Sequence, residues 1–409
     1  MSHAKVEYHS PFNMAVLVAG LGFFIDAFDL FLFNVYRMPS LMELGLKDAE
    51  LTACGERLLS WQMAGMMLGG IITGIIADKK GRSIALYGSI ALYSIANIAN
   101  AFVQDVDSYA LIRFLAGVGL AGELGSGITL VAESMSVKNR GYGTILVATL
   151  GALGAVSAGL AGDFMPWRYA FLSAGIAGFV LLVLRLKTME THVFLANKNT
   201  KIAKGSLWLI VKQRQRLLKY LACILMGVPI WYSVGLLITL TPELAKEHAL
   251  SGAKLSACFI LFQIGIASGD LSSGILSQIF QSRKKILLGF MMLGIAGTCW
   301  HFYNLYSGHG IVFTAFLMGL GCGYLSVFVT STAEQFGTNL RVTVTATVTN
   351  FMRGAVILLI PMHQGIQSYF GTSLSVGLIV TGIVVWSLAL ISVLALKDTF
   401  GKDLNYEEE

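Results

Sequence analysis

Two stretches of this chain recur about two hundred residues further on, each inside very apolar surroundings. FLAGVGLAGEL, from Phe114, returns as FLMGLGCGYLS, from Phe316. AESMSVKNR, from Ala132, returns as AEQFGTNLR, from Ala333, with Glu133 matching Glu334 and Arg140 matching Arg341. A third pair agrees: GGIITGIIADKKGR, from Gly69, is echoed by GDLSSGILSQIFQSRKK, from Gly269. Two similar apolar halves in the same order imply two parallel bundles with a site at the interface between them.

Hydrophobic residues make up 55% of the 409 and charged residues only 13%, where a soluble chain carries about a quarter charged residues. A span needs about 20 apolar residues. Twelve segments meet that length: 13–36, 57–77, 83–104, 108–134, 141–163, 168–186, 217–241, 253–279, 285–305, 310–333, 343–366 and 371–396. The only long polar break, 187–216, divides them six and six. The expected fold is an all-α membrane protein of twelve transmembrane helices in two pseudo-symmetric six-helix bundles, 1–186 and 217–409, joined by a cytoplasmic loop, 187–216. The fold is complete in one chain, so a monomer is expected to function. The 45 glycines suit closely packed membrane helices. The five cysteines are scattered, with no CxxC pair, and imply neither a disulfide framework nor a metal site. The first apolar stretch is long enough to span and no cleavage-like site follows it, so no removable signal peptide is expected.

With the N-terminus, the central loop and the C-terminus on one side, that side receives 21 of the 29 Lys and Arg, and the opposite side six. The rich side is expected to be cytoplasmic, which places the chain in a bacterial-type inner membrane with both termini inside. The net charge of +6 then reflects topology. The basic residues lie in loops between spans rather than on one folded face, so no nucleic-acid partner is expected.

Between the second and third spans runs Gly74-Ile-Ile-Ala-Asp78-Lys79-Lys80-Gly81-Arg82. It resembles the GxxxD-[RK]-x-G-R signature of the major facilitator superfamily, and the resemblance extends over the whole chain through the twelve spans, the central loop and the half-repeat. It implies a cytoplasmic latch made of Asp78, Arg82, Glu133 and Arg140. Gln278 stands in the second half where Asp78 stands in the first, so a matching second latch is expected to be weaker.

Ionisable groups at membrane depth are costly and usually face a cavity or a partner. The first span contains GFFIDAFDLFLF, with Asp26 and Asp29 three apart and therefore on one helix face. Like charges this close in low dielectric resist double ionisation, so one holds a proton. The fourth span carries Arg113 towards the outer side and Glu123 near mid-depth. Ten residues separate them along about 15 Å of helix, too far to pair directly but near enough to border one cavity. RFLAGVG resembles the R-x-x-x-G-x-G motif of the superfamily's fourth helix. The wider pattern, IDAFD with R…G-x-x-G-E…AE, is most similar to its metabolite:proton and phosphate:proton symporter branches. That resemblance implies proton coupling by Asp26 or Asp29 and by Glu123. Arg113 would tune a helix-one acid or hold an anionic substrate.

In the second half Arg353 and Asn350 lie within the eleventh span, and Asp270 and Gln263 within the eighth. Asp270 is a candidate partner for Arg353, and all four are candidate substrate contacts. Pro229 in the seventh span breaks the helical ladder, and irregular backbone at depth is tolerated where it lines a cavity. Trp231 and Tyr232 beside it, and Tyr324 in the tenth span, are therefore candidate walls of the site. His301, His309 and His363 read as interfacial rather than as metal ligands.

No H-E-x-x-H, GxxxxGK[ST] or GxSxG is present, so neither an enzyme, nor an ATP-driven pump in this chain alone, nor any cofactor is expected. The sequence points to secondary active transport by alternating access, with proton-coupled uptake of a small anionic or polar metabolite. The alternatives are proton-driven efflux of a drug, siderophore, metal or metal chelate, and divalent cation transport. The fifth span lacks the G-x-x-x-G-P signature of drug antiporters, which favours uptake.

Overall fold

Glycines set the closest helix contacts, and they repeat between the halves as the sequence does. In the computed structural model, which describes residues 14–47, 49–80, 82–122, 140–189, 210, 212–250, 255–307 and 310–401, the first half contains α1 (Met14–Glu43), α2 (Ala49–Lys80), α3 (Arg82–Asn100), α4 (Val106–Leu120), α5 (Arg140–Phe164) and α6 (Trp167–Met189). The second contains α7 (Arg214–Tyr232), α8 (Thr241–Glu247), α9 (Leu255–Ile279), α10 (Arg283–Ser307), α11 (Ile311–Cys322), α12 (Leu325–Glu334), α13 (Thr338–Gly354), α14 (Val356–Phe370) and α15 (Leu374–Ala395). A methyl group on Gly65 of α2 would overlap the Phe114 carbonyl of α4. Its counterpart on Gly265 of α9 would overlap the Phe316 carbonyl of α11. Absent side chains let these backbones touch, which is how membrane helices associate where lipid supplies no hydrophobic drive.

Nine of the described helical segments are long and apolar enough to cross a membrane, and Ile84–Asn100 is a shorter apolar helix. The fold is the all-helical membrane architecture expected. The fourth span is described only to Gly122, so Glu123 and Glu133 lie outside the described residues, as do the side chains of Asp78, Arg82 and Arg140. The first-half latch falls there.

Two spans of the second half depart from a regular α-helix. Beyond Pro229 the seventh span widens into a π-helical turn, Ser233–Ile238, a form often found at functional sites. The tenth breaks between α11 and α12 at Gly323 and Tyr324, while the eleventh runs from α13 into α14 through Ala355, whose backbone stays helical. Between the halves, α2 lies along α13, and α5 along α9. These two seams frame the site.

Candidate functional site

Asp29 on α1, Asn97 on α3 and Arg113 on α4 form a fully buried set within the first half. Asn97 Nδ2 donates to Asp29 Oδ2 at 2.5 Å, and Arg113 Nη2 donates to Asn97 Oδ1 at 2.7 Å. The direct approach is longer, 3.9 Å between Arg113 Nη1 and Asp29 Oδ1. The guanidinium also lies 4.6 Å from the centre of the Phe171 ring of α6, a favourable cation–π position. The two acids, between which the sequence did not choose, are separated by their surroundings. Asp29 is held inside its own half, while Asp26, one turn away, acts electrostatically on Arg353 of α13 in the other half.

Arg353 is 4% exposed. Its Nε and Nη1 have no hydrogen-bond partner among the described residues. Its guanidinium sits 5.6 Å from the centre of the Trp231 ring. Trp231 in turn stacks on Phe31 of the first half, with centroids 6.1 Å apart and planes at 10°. Phe259 meets Phe31 edge-on at 5.4 Å. A buried cation with open donors, an opposing carboxylate and three aromatic rings therefore converge where the halves meet. Asn350, one turn before Arg353, donates to the Ala121 carbonyl of the first half at 3.3 Å, close against Gly70. Gln263 is buried on α9, with no partner for Nε2 among the described residues.

Other expected site residues are placed differently. Asp270 does not pair with Arg353. Its Oδ1 accepts the Ser326 N–H at 2.6 Å and caps the start of α12 across the Gly323 break. The break leaves amides without intrahelical acceptors, and this carboxylate satisfies one of them. Tyr324 donates to the Met226 carbonyl at 3.1 Å and Tyr232 to the Leu378 carbonyl at 2.7 Å. Both hydroxyls therefore hold second-half helices together instead of facing the aromatic cluster. The histidines read as interfacial are not open side chains where they are described. His301 and His363 are buried, and His309 lies outside the described residues.

His363 belongs to a seal that the sequence did not reveal. Its Nε2 lies 2.9 Å from Glu56 Oε1, and Gln364 donates to the other Glu56 oxygen at 2.5 Å. Nearby, Arg37 on α1 donates to Glu243 on α8 at 2.5 Å and to the Thr239 carbonyl at 3.0 Å. Asn34 donates to Thr239 Oγ1 at 2.8 Å, and Ser256 to Asp163 Oδ1 at 3.0 Å. Each contact joins one half to the other at the end where α1 finishes and α9 begins, the end that the Lys/Arg distribution assigns to the outside. Removing one member of a buried ion pair costs about 3–5 kcal/mol, and each 1.4 kcal/mol is about tenfold in a population. Arg37→Met should therefore lower the closed-outside population by about two to three orders of magnitude. The readout is faster labelling of a Thr239→Cys variant by a membrane-impermeant thiol reagent.

At the opposite end, by the loop where a weaker latch was expected, the second half carries an ion pair of its own. Arg283 Nη2 lies 3.3 Å from Glu334 Oε1, and Thr399 donates to Glu334 at 2.6 Å. The acid missing at Gln278 is replaced from beyond α15, where Asp398 accepts from the Ser282 hydroxyl and the Arg283 amide. Partial burial raises the Asp398 carboxyl, and these bonds with that of the Phe400 amide outweigh it, holding it below the usual carboxylate range.

A buried charged centre between two halves built of membrane-length helices, with polar contacts joining the halves at one end, is the arrangement of a membrane transporter. The family model of the Major Facilitator Superfamily matches residues 19–361, and the chain belongs to that superfamily. It is 27% identical over 350 residues to the candidate niacin/nicotinamide transporter NiaP of Bacillus subtilis, covering 82% of this chain and 84% of that protein. It is 27% identical over 267 residues to a 3-(3-hydroxy-phenyl)propionate transporter of Escherichia coli, covering 64% of this chain and 65% of that one. The fold is similar to the crystal structure of a D-xylose-proton symporter, with a TM-score of 0.67, 15% identity, and coverage of 96% of this chain and 98% of that one.

Proposed function

We propose that this transporter takes up a small aromatic monocarboxylate together with one proton. The observation that carries the reading is Arg353, a buried cation between the halves whose Nε and Nη1 have no partner among the described residues, beside the Trp231 face. Guanidinium donors match a carboxylate fork, and an adjoining aromatic stack suits a ring. The names of the relatives support it in part: niacin and 3-(3-hydroxyphenyl)propionate are carboxylates on aromatic frames, while nicotinamide, also in the first name, is the neutral amide of the same ring.

Proton coupling follows from charge balance. The two acids, expected from the sequence to share one proton, each have a guanidinium of their own, Arg113 for Asp29 and Arg353 for Asp26, so without substrate the described centre is taken to hold two guanidinium groups against two ionised carboxylates. A substrate carboxylate on Arg353 leaves one negative charge in excess. Low dielectric makes that excess costly, and one proton on the Asp26/Asp29 pair removes it. Substrate and proton therefore load together, and neither the empty nor the loaded centre carries net charge through the membrane. Glu123 remains a proposed contributor to proton movement, and Gln263, Asn350 and Trp231 proposed substrate contacts.

The outer seal must open for loading. The first-half latch of Asp78, Arg82, Glu133 and Arg140 is proposed to open at the inner end. The Arg283–Glu334 pair supports it, because the half-repeat aligns Glu334 with Glu133. We propose placement in the inner membrane, both termini inside, one chain being sufficient. The test is the number of protons entering reconstituted vesicles per carboxylate.

A further inference from the structure

We propose that Asn97 is a positioning residue that holds Asp29 and Arg113 apart, keeping the carboxylate able to exchange a proton instead of closing onto the guanidinium as a permanent pair. The inference rests on the coupling role given to the Asp26/Asp29 pair above. An arginine and a carboxylate left to themselves form a forked pair with two bonds of about 2.8 Å. Here the closest direct approach is 3.9 Å, and the amide fills the gap with one bond to each partner. Only one orientation of the amide serves. Its NH₂ must meet the carboxylate and its oxygen the guanidinium, because a carboxylate only accepts and a guanidinium only donates.

The spacer leaves capacity unused on both sides. Asp29 Oδ1, Arg113 Nη1 and Arg113 Nε are buried with no hydrogen-bond partner among the described residues. In a relaxed structural ion pair those atoms would be bonded to one another. The Phe171 ring lies 4.6 Å from the guanidinium carbon, and the Asn97 amide is the group that stands between Arg113 and Asp29. The charged and titratable groups facing the set are few. Asp26 sits one turn along α1. Tyr109 of α4 acts on Arg113, and its hydroxyl donates to Ser40 of α1 at 3.2 Å. The described residues of α2, α5, α6 and α9, also packed against α1, bring no further charge to bear on Asp29.

The test needs no substrate. Infrared spectra of the purified protein, titrated with pH, follow the band of a protonated buried carboxylic acid. The Asp29→Asn variant identifies the part due to Asp29. Asn97→Leu is nearly the same size and removes both bonds, so Arg113 can close on Asp29. The titration midpoint is then expected to move at least one pH unit towards acid. Asn97→Asp places a second carboxylate beside Asp29 and is expected to move it at least one unit towards alkali. An unmoved midpoint in both variants, or a move towards alkali in Asn97→Leu, overturns the proposal. If Asn97→Leu does not fold, the direction and size of the shift in Asn97→Asp decide it. If Asp29→Asn removes none of the band, Asp29 holds no proton and this proposal is overturned, while coupling through Asp26 stands or falls by the Asp26→Asn variant.

Discussion

Asp26→Asn abolishes accumulation driven by a pH gradient while the protein still binds its substrate. The reason is the charge balance at the centre. With Asp26 neutral, two guanidinium groups face one carboxylate, and the site accepts a substrate anion without needing a proton. Binding then loses its dependence on pH, and release slows because Arg353 has no acid to return to. One pH unit corresponds to about 1.4 kcal/mol per proton, enough for about tenfold accumulation at one proton per substrate. Accumulation in vesicles with a one-unit gradient should therefore fall from about tenfold in the wild type to about onefold. Retained accumulation in this variant would remove Asp26 from the coupling pair.

Arg353→Gln has the opposite signature: coupling machinery intact and nothing to couple. The substitution removes the charge-assisted fork for the carboxylate and leaves Asp26 without the cation across the interface. Leaving the substrate carboxylate without its buried partner costs about 2–5 kcal/mol of binding, which corresponds to a KM increase of about 1.5 to 3.5 orders of magnitude. Arg353→Lys keeps the charge but loses the planar fork, so its KM should lie between the two. The double variant Asp26→Asn with Arg353→Gln removes both charges together. It should recover thermal stability relative to Arg353→Gln alone without recovering uptake. That result would separate a substrate contact from a structural pair.

Much of this architecture was legible before any coordinates. Gly117 and Gly319 occupy matching places in the FLAGVG and FLMGLG repeats, and both lie against backbone of a neighbouring helix, at Gln62 and Phe262. Asp26, Asp29, Arg113 and Arg353 stood out because charge in an apolar span needs a reason. The pairing was less legible. Asp270 lies at a depth that suits Arg353, but the break at Gly323 leaves a helix start that needs an acceptor nearby, and Asp270 supplies it. Asn97 gave little signal, since a neutral amide inside a span has many packing uses. Arg37, Glu56 and Glu243 lie just outside apolar spans, where a charge needs no special reason. Their partners lie about two hundred or more residues away in the other half, a relation that periodicity does not encode. Asp398 was hidden for a similar reason. It replaces a missing loop acid from beyond the last helix, so alignment of the two halves shows only the gap at Gln278.

The central claim is one proton per carboxylate with no net charge moved, and the most direct measurement is that ratio. Purified protein in liposomes with an internal pH dye would be given niacin or 3-(3-hydroxyphenyl)propionate, then further aromatic monocarboxylates, with the membrane potential clamped at zero and at a negative value. The account predicts internal acidification in a one-to-one ratio with labelled substrate entering, at the same rate under both potentials. Carboxylate entry without proton movement, entry whose rate follows the potential, or proton movement only with cations or bulky neutral compounds would contradict it.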